Sequence, residues 1–147
     1  MSEGSNARAE ITNLIFSYAE RMDAGDLAGV ARLFEHARYR AGEGAPLSWE
    51  EVERVNREVV ILHEDGTPRT KHVTTNLWIE VDEAAGQARC RSYFTVIQGL
   101  GGNPLQPIVA GRYHDRFERV DGAWRFSERQ IHVDLVGDVS HHLRISR

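Results

Sequence analysis

Between Ala7 and Met22 the apolar residues Ile11, Leu14, Ile15, Tyr18, Ala19 and Met22 recur at helical spacing, which predicts a helix with one buried face. Asp23 continues the series Ile11, Ile15, Ala19 and so projects from that face at the helix's C-terminal end. The helix dipole opposes an anion there, and the placement asks for a compensating partner. A purely local reading is also open, in which Asp23 begins the turn Asp23-Ala-Gly-Asp26, with Gly25 ending the first helix and Asp26 capping the next. Leu27, Val30, Ala31, Leu33 and Phe34 give a short second helix, after which Tyr39 falls in a strand or a loop. Ser48-Trp-Glu-Glu51 has the form of a capping box and heads a third helix with Val52, Val55 and Val59 on one face.

Beyond the turn-rich stretch from Glu64 to Arg69 the period falls to two. From Lys71 to Val81 one side carries Val73, Thr75, Leu77, Ile79 and Val81, and the other carries His72, Thr74, Asn76 and Trp78. A second strand runs from Gln87 to Gln98 with Ala88, Cys90, Phe94 and Val96 apolar. Val109 to Asp134 reads as a long hairpin closed at Asp121-Gly122, because both residues accept the positive φ of a type I′ turn. With Val120 opposite Ala123, the register sets Phe117 across from Phe126, Asp115 from Glu128, Tyr113 from Gln130 and Gly111 from His132 on one face. Arg112, His114, Arg116 and Arg129 then lie on the wet face. The mixture of aromatic and polar groups suits either the wall of a polar-spotted pocket or a half-buried hairpin, and a slip of one residue would exchange the two faces. Asp115 opposite Glu128 is a like-charge pair that raises one carboxyl pKa unless an arginine relieves it.

Helices followed by antiparallel strands argue for an α+β layer architecture. A chain of 147 residues with 41% hydrophobic content suffices for one domain, spanning 1–147, with flexible ends expected at 1–6 and 140–147. A net charge of -4 with no run of Lys or Arg gives no footprint for nucleic acid or a membrane surface. No apolar stretch is long enough to span a bilayer and the N-terminus lacks the pattern of a signal peptide, so the expected location is cytoplasmic. The single cysteine, Cys90, reads as a small core residue, and His141 and His142 are adjacent rather than spaced as metal ligands. No metal and no cofactor is expected, since neither a His-carboxylate cluster at helix spacing nor a Gly-rich dinucleotide fingerprint is present.

Three pieces, Ile11 to Phe34, Lys71-His-Val-Thr-Thr-Asn76 and Gly111 to Phe126, resemble in content and order the SnoaL-like branch of the nuclear transport factor 2-like superfamily. The resemblance implies a cone-shaped α+β barrel, with three N-terminal helices on a curved, mainly antiparallel sheet that encloses one pocket, and a homodimer or higher homo-oligomer. The ending from Asp134 to His142 looks like that of bacterial members. Within the branch, scytalone dehydratase and the hexachlorocyclohexane dehydrochlorinase are similar at two positions, an Asp ending the first helix and a His starting a strand, which fall on Asp23 and His72. Tyr39 sits where the dehydratase has a pocket tyrosine. The chain departs from the dehydratase at Met22, at Val96 or Ile97 in place of a second histidine, and near Gly111 and Tyr113 in place of a serine and an asparagine.

The resemblance implies a cofactor-free lyase or isomerase acting on a small, largely apolar cyclic substrate. His72 would be the general base and Asp23 its orienting carboxylate, with Tyr18, Tyr39 and Tyr113 as donors and with Trp78 and His132 also lining the pocket. The bland reading makes His72 and Asp23 a buried polar pair without turnover. A non-catalytic alternative, similar to the small subunit of ring-hydroxylating dioxygenases, would use the wet sheet face for assembly.

Overall fold

The computed structural model describes residues 3–102 and 104–144. Helix α1 (Glu3–Asp23) buries Ala7, Ile11, Ile15, Tyr18, Ala19 and Met22, the stripe its periodicity predicts. Gly25, at φ 77°, turns the chain into α2 (Leu27–Arg32), and the Asp26 side chain caps that helix by accepting from the Gly29 N–H at 2.9 Å. Strand β1 (Arg38–Ala41) contains Tyr39. Helix α3 (Trp49–Val59) opens on the capping box, with Ser48 accepting from the Glu51 N–H at 3.3 Å and Glu51 accepting from the Ser48 N–H at 3.1 Å.

Strands β2 (Thr70–Asp82), β3 (Gln87–Gln98), β4 (Gln106–Val120) and β5 (Ala123–Val136) follow as an antiparallel meander. Strand β1 joins β5 in parallel, giving the order β1-β5-β4-β3-β2 with β2 at one edge. Helix α1 lies against β2 and β5, and α3 against α2 and β1. The core between the helices and the curved sheet is built from the buried face of α1, Leu27, Val30 and Phe34 of the α2 region, and Phe94, Val96, Tyr113, Phe117 and Phe126 of the strands. Burying a large apolar side chain contributes about 1.5–3 kcal/mol, so this shared layer holds the helices to the sheet.

Two bulges correct the alternation read from the sequence. The hairpin turn places Asp121 and Gly122 at φ 52° and 81°, Val120 faces Ala123 and Phe117 faces Phe126, all as predicted. Next, Arg116 pairs with Glu128, so Ser127 is an extra residue, and beyond it Asp115 faces Arg129, Tyr113 faces Ile131 and Gly111 faces Val133. Arg129 therefore turns into the core instead of the wet face, and His132 turns outward beside His114, with ring centroids 4.8 Å apart. In β2 the register shifts between Thr75 and Trp78, where Asn76 adopts φ 56°, a left-handed conformation that asparagine tolerates. Leu77, Ile79 and Val81 thereby join the face of His72 and Thr74, and Trp78 is expelled to the outside at 57% exposure, stacked on the Arg91 guanidinium at 4.4 Å.

Gly25 fixes where α1 ends, two residues beyond Asp23. Its positive φ disfavours any side chain, and an added Cβ would run into the Gly66 carbonyl oxygen. Gly25→Ala is expected to cost about 1–3 kcal/mol in a urea titration. A change below about 0.5 kcal/mol would show that this contact yields without strain.

Candidate functional site

The compensating partner that Asp23 requires at the end of α1 comes from the start of β2. Its Oδ1 lies 2.6 Å from His72 Nδ1 and accepts from Thr70 Oγ1 at 2.9 Å, and its Oδ2 accepts from the His72 backbone N–H at 2.8 Å. Thr70 and His72 share a face because they stand two apart in a strand. The two side chains of the pair are only 7% and 10% exposed. Burial works to raise the Asp23 pKa, but hydrogen bonds and charge from His72, with help from Thr70, hold the carboxyl below its ordinary value. An ionised Asp23 fixes the proton on Nδ1 and leaves Nε2 with its lone pair, for which the described residues offer no hydrogen-bond partner.

A cleft of about 540 Å³ opens beside the pair between α1 and β2, lined by Phe16, Ala19, Asp23, Lys71, His72 and Thr74. Apolar carbon from Phe16 and Ala19 thus stands next to the imidazole. Toward the core, the Tyr18 ring lies edge-on to His72 at 6.2 Å and to Tyr113 at 5.8 Å, and its hydroxyl is 3.3 Å from that of Tyr39. Tyr39 and Tyr113 are buried, and burial pushes both phenols well above their ordinary pKa, which keeps them neutral.

Of the residues singled out in the sequence, Asp23 and His72 line this cleft, Tyr18, Tyr39 and Tyr113 lie behind them in the core and do not line it, and Trp78 and His132 are on the other face of the sheet. Trp78 instead belongs to a separate cleft of about 500 Å³ on the outer face of the sheet, shared with Arg89, Arg91, His114 and Arg116. Three neighbours of the site escaped sequence reading. Thr70 was accessible, since it precedes His72 by one strand repeat. Arg129, with no exposed surface, makes a two-pronged ion pair with Asp115 at 2.8 and 2.9 Å, and its guanidinium carbon lies 3.7 Å from the Tyr113 ring centroid and 4.4 Å from that of Tyr18. Burial opposes its charge, but Asp115 more than compensates and holds the guanidinium above its ordinary pKa. Only knowledge of the bulge at Ser127 would have revealed it. The third neighbour is His142, whose ring centroid is 6.2 Å from that of His72.

Among the described residues no three His, Cys, Asp or Glu side chains are grouped to hold a metal ion, and no helix is long and apolar enough to cross a membrane.

The family described as SnoaL-like domain matches residues 3–130. No curated protein sequence matches significantly. Among solved structures, Rv3472 from Mycobacterium tuberculosis, a protein of unknown function, is similar at 25% identity and a TM-score of 0.72, over 90% of this chain and 74% of that one. A putative scytalone dehydratase from Novosphingobium aromaticivorans shares the fold at 19% identity and a TM-score of 0.70, over 92% and 89% of the two chains. So does the beta subunit of a putative aromatic-ring-hydroxylating dioxygenase from the same organism, at 18% identity and a TM-score of 0.69, over 92% and 94%.

Proposed function

The chain belongs to the SnoaL-like domain family, and from that premise we propose that it is a cofactor-free lyase or isomerase in which His72 is the general base. The observation that carries the reading is the 2.6 Å contact between His72 Nδ1 and Asp23 Oδ1 at the wall of a ligand-sized cleft. Geometry of this kind leaves Nε2 free to take a proton from a carbon next to a carbonyl or a leaving group, and the Asp23 carboxylate stabilises the imidazolium that forms. The electron pair of the broken C–H bond then forms a C=C bond as the leaving group departs, or moves onto oxygen before the proton returns at another carbon. Tyr18 backs the His72 ring from the core side, and the cleft in which the charge develops is lined by none of the three tyrosines. Phe16, Ala19 and Ala24 line the cleft beside the charged Glu20 and Lys71, which favours a small, largely apolar substrate that carries a polar group.

His72→Ala tests the reading. Turnover of any substrate found by screening small hydroxylated or halogenated rings is expected to fall about 10²- to 10⁴-fold while fold and ligand binding persist. Full activity in that variant would end the proposal. The likeness to a dioxygenase beta subunit supports a second reading, assembly through the outer sheet face with Arg112, His114 and Arg116 but without Arg129. Co-purification with a large iron-containing subunit would favour it over catalysis.

A further inference from the structure

The residues after β5 form a turn fastened on both sides. The N–H groups of His142 and Leu143 donate to the Val139 carbonyl at 3.0 and 2.9 Å. The His141 carbonyl accepts from Gln98 Nε2 at 3.0 Å and lies 2.9 Å from His63 Nε2, and the His142 carbonyl accepts from the Ile61 N–H at 2.8 Å. Leu143 bridges to Val60. Between these anchors the His142 side chain is driven inward to 5% exposure, with its ring 6.2 Å from His72. Its Nδ1 is buried without a partner among the described residues. A hydrocarbon side chain would fill the same space without stranding a nitrogen, so an imidazole at this point calls for a reason other than packing.

We propose that His142 is a positioning residue for His72, a second imidazole beside the base that sets how readily the base takes its proton. The inference rests on the general-base reading of His72. The titratable groups facing His142 are His72 from β2, Asp23 from α1 and His63 from the segment between α3 and β2. Burial first, and His72 second, push the His142 pKa down to about 4 against the opposing pull of Asp23. At neutral pH His142 is therefore a neutral, polar neighbour that helps to solvate an imidazolium at His72 from the side turned away from the cleft. The two rings resist being cationic together.

The test is a pH titration of the histidine ring nitrogens by NMR on the full chain. In the wild-type protein the His72 signals are expected to show a second inflection where His142 takes its proton. In His142→Phe that inflection should vanish and the apparent pKa of His72 should drop by about half a unit or more, whereas His142→Gln, which restores a neutral polar group, should recover much of the drop. A one-step His72 titration in the wild-type protein, or one identical in His142→Phe, overturns the proposal. If His142→Phe fails to fold, the wild-type curve and His142→Gln still decide. Loss of coupling alongside His72-dependent turnover removes the role of His142 alone, whereas coupled rings in a chain whose turnover ignores His72 would remove the general-base reading instead.

Discussion

Asp115→Ala is expected to destabilise the protein by about 3–5 kcal/mol, read as a lowered midpoint in urea, because it leaves the Arg129 guanidinium buried without a counter-charge. Arg129 has no exposed surface, both prongs of its fork go to Asp115, and its remaining terminal nitrogen, Nη1, has no partner among the described residues. Water cannot substitute for the lost carboxylate without opening the aromatic layer of Tyr18, Tyr113 and Phe126 that surrounds the guanidinium. Removing both charges is a different experiment. Asp115→Leu combined with Arg129→Met exchanges the pair for apolar volume, and such exchanges are often neutral or stabilising. The double variant should therefore recover most of the stability lost in Asp115→Ala. A single variant that loses less than about 1 kcal/mol would mean that Arg129 reaches solvent or another anion.

Asp23→Asn should leave the fold standing and cut turnover by about 10³- to 10⁴-fold, since an amide neither holds the His72 proton on Nδ1 nor balances an imidazolium. The same variant has a signature without substrate. The folded-state pKa of Asp23 lies below its unfolded value, so the unfolded chain binds more protons in that window and stability rises with pH there. The contribution is present above the ordinary aspartate value of about 3.9 and is lost as pH falls through the lower folded value. Denaturation profiles of wild type and Asp23→Asn should therefore converge in acid and separate toward neutrality. Parallel profiles across the acid range would show that Asp23 gains nothing from His72 and Thr70.

The parts of this site that could be read in advance are those governed by local periodicity. Helical spacing along α1 put Asp23 on the buried face, alternation put His72 on one side of its strand, and the Asp121-Gly122 turn set the start of the hairpin register. Trp78, His132 and Arg129 were misplaced for one physical reason. Each lies past a point where a strand accommodates an extra residue, and the side-chain pattern on either side of that point satisfies an uninterrupted alternation equally well. Nor could pattern foresee the parallel pairing of β1 with β5, which depends on contacts remote in the chain. The turn at His142 has no periodicity at all, and its inward placement follows from anchors on Gln98, His63 and Ile61.

Ser127 has a consequence for how such an interior can change over generations. Point substitutions in β5 alter one wall position at a time, and losing that single codon would only remove the bulge and leave Arg129 and Ile131 facing inward. Losing a regularly paired residue such as Gln130 would instead rotate everything downstream by half a strand repeat, turning His132 inward and Ile131 outward. Insertions and deletions in the reading frame, more than amino-acid exchanges, are the mutational step that can rewrite this wall in one move.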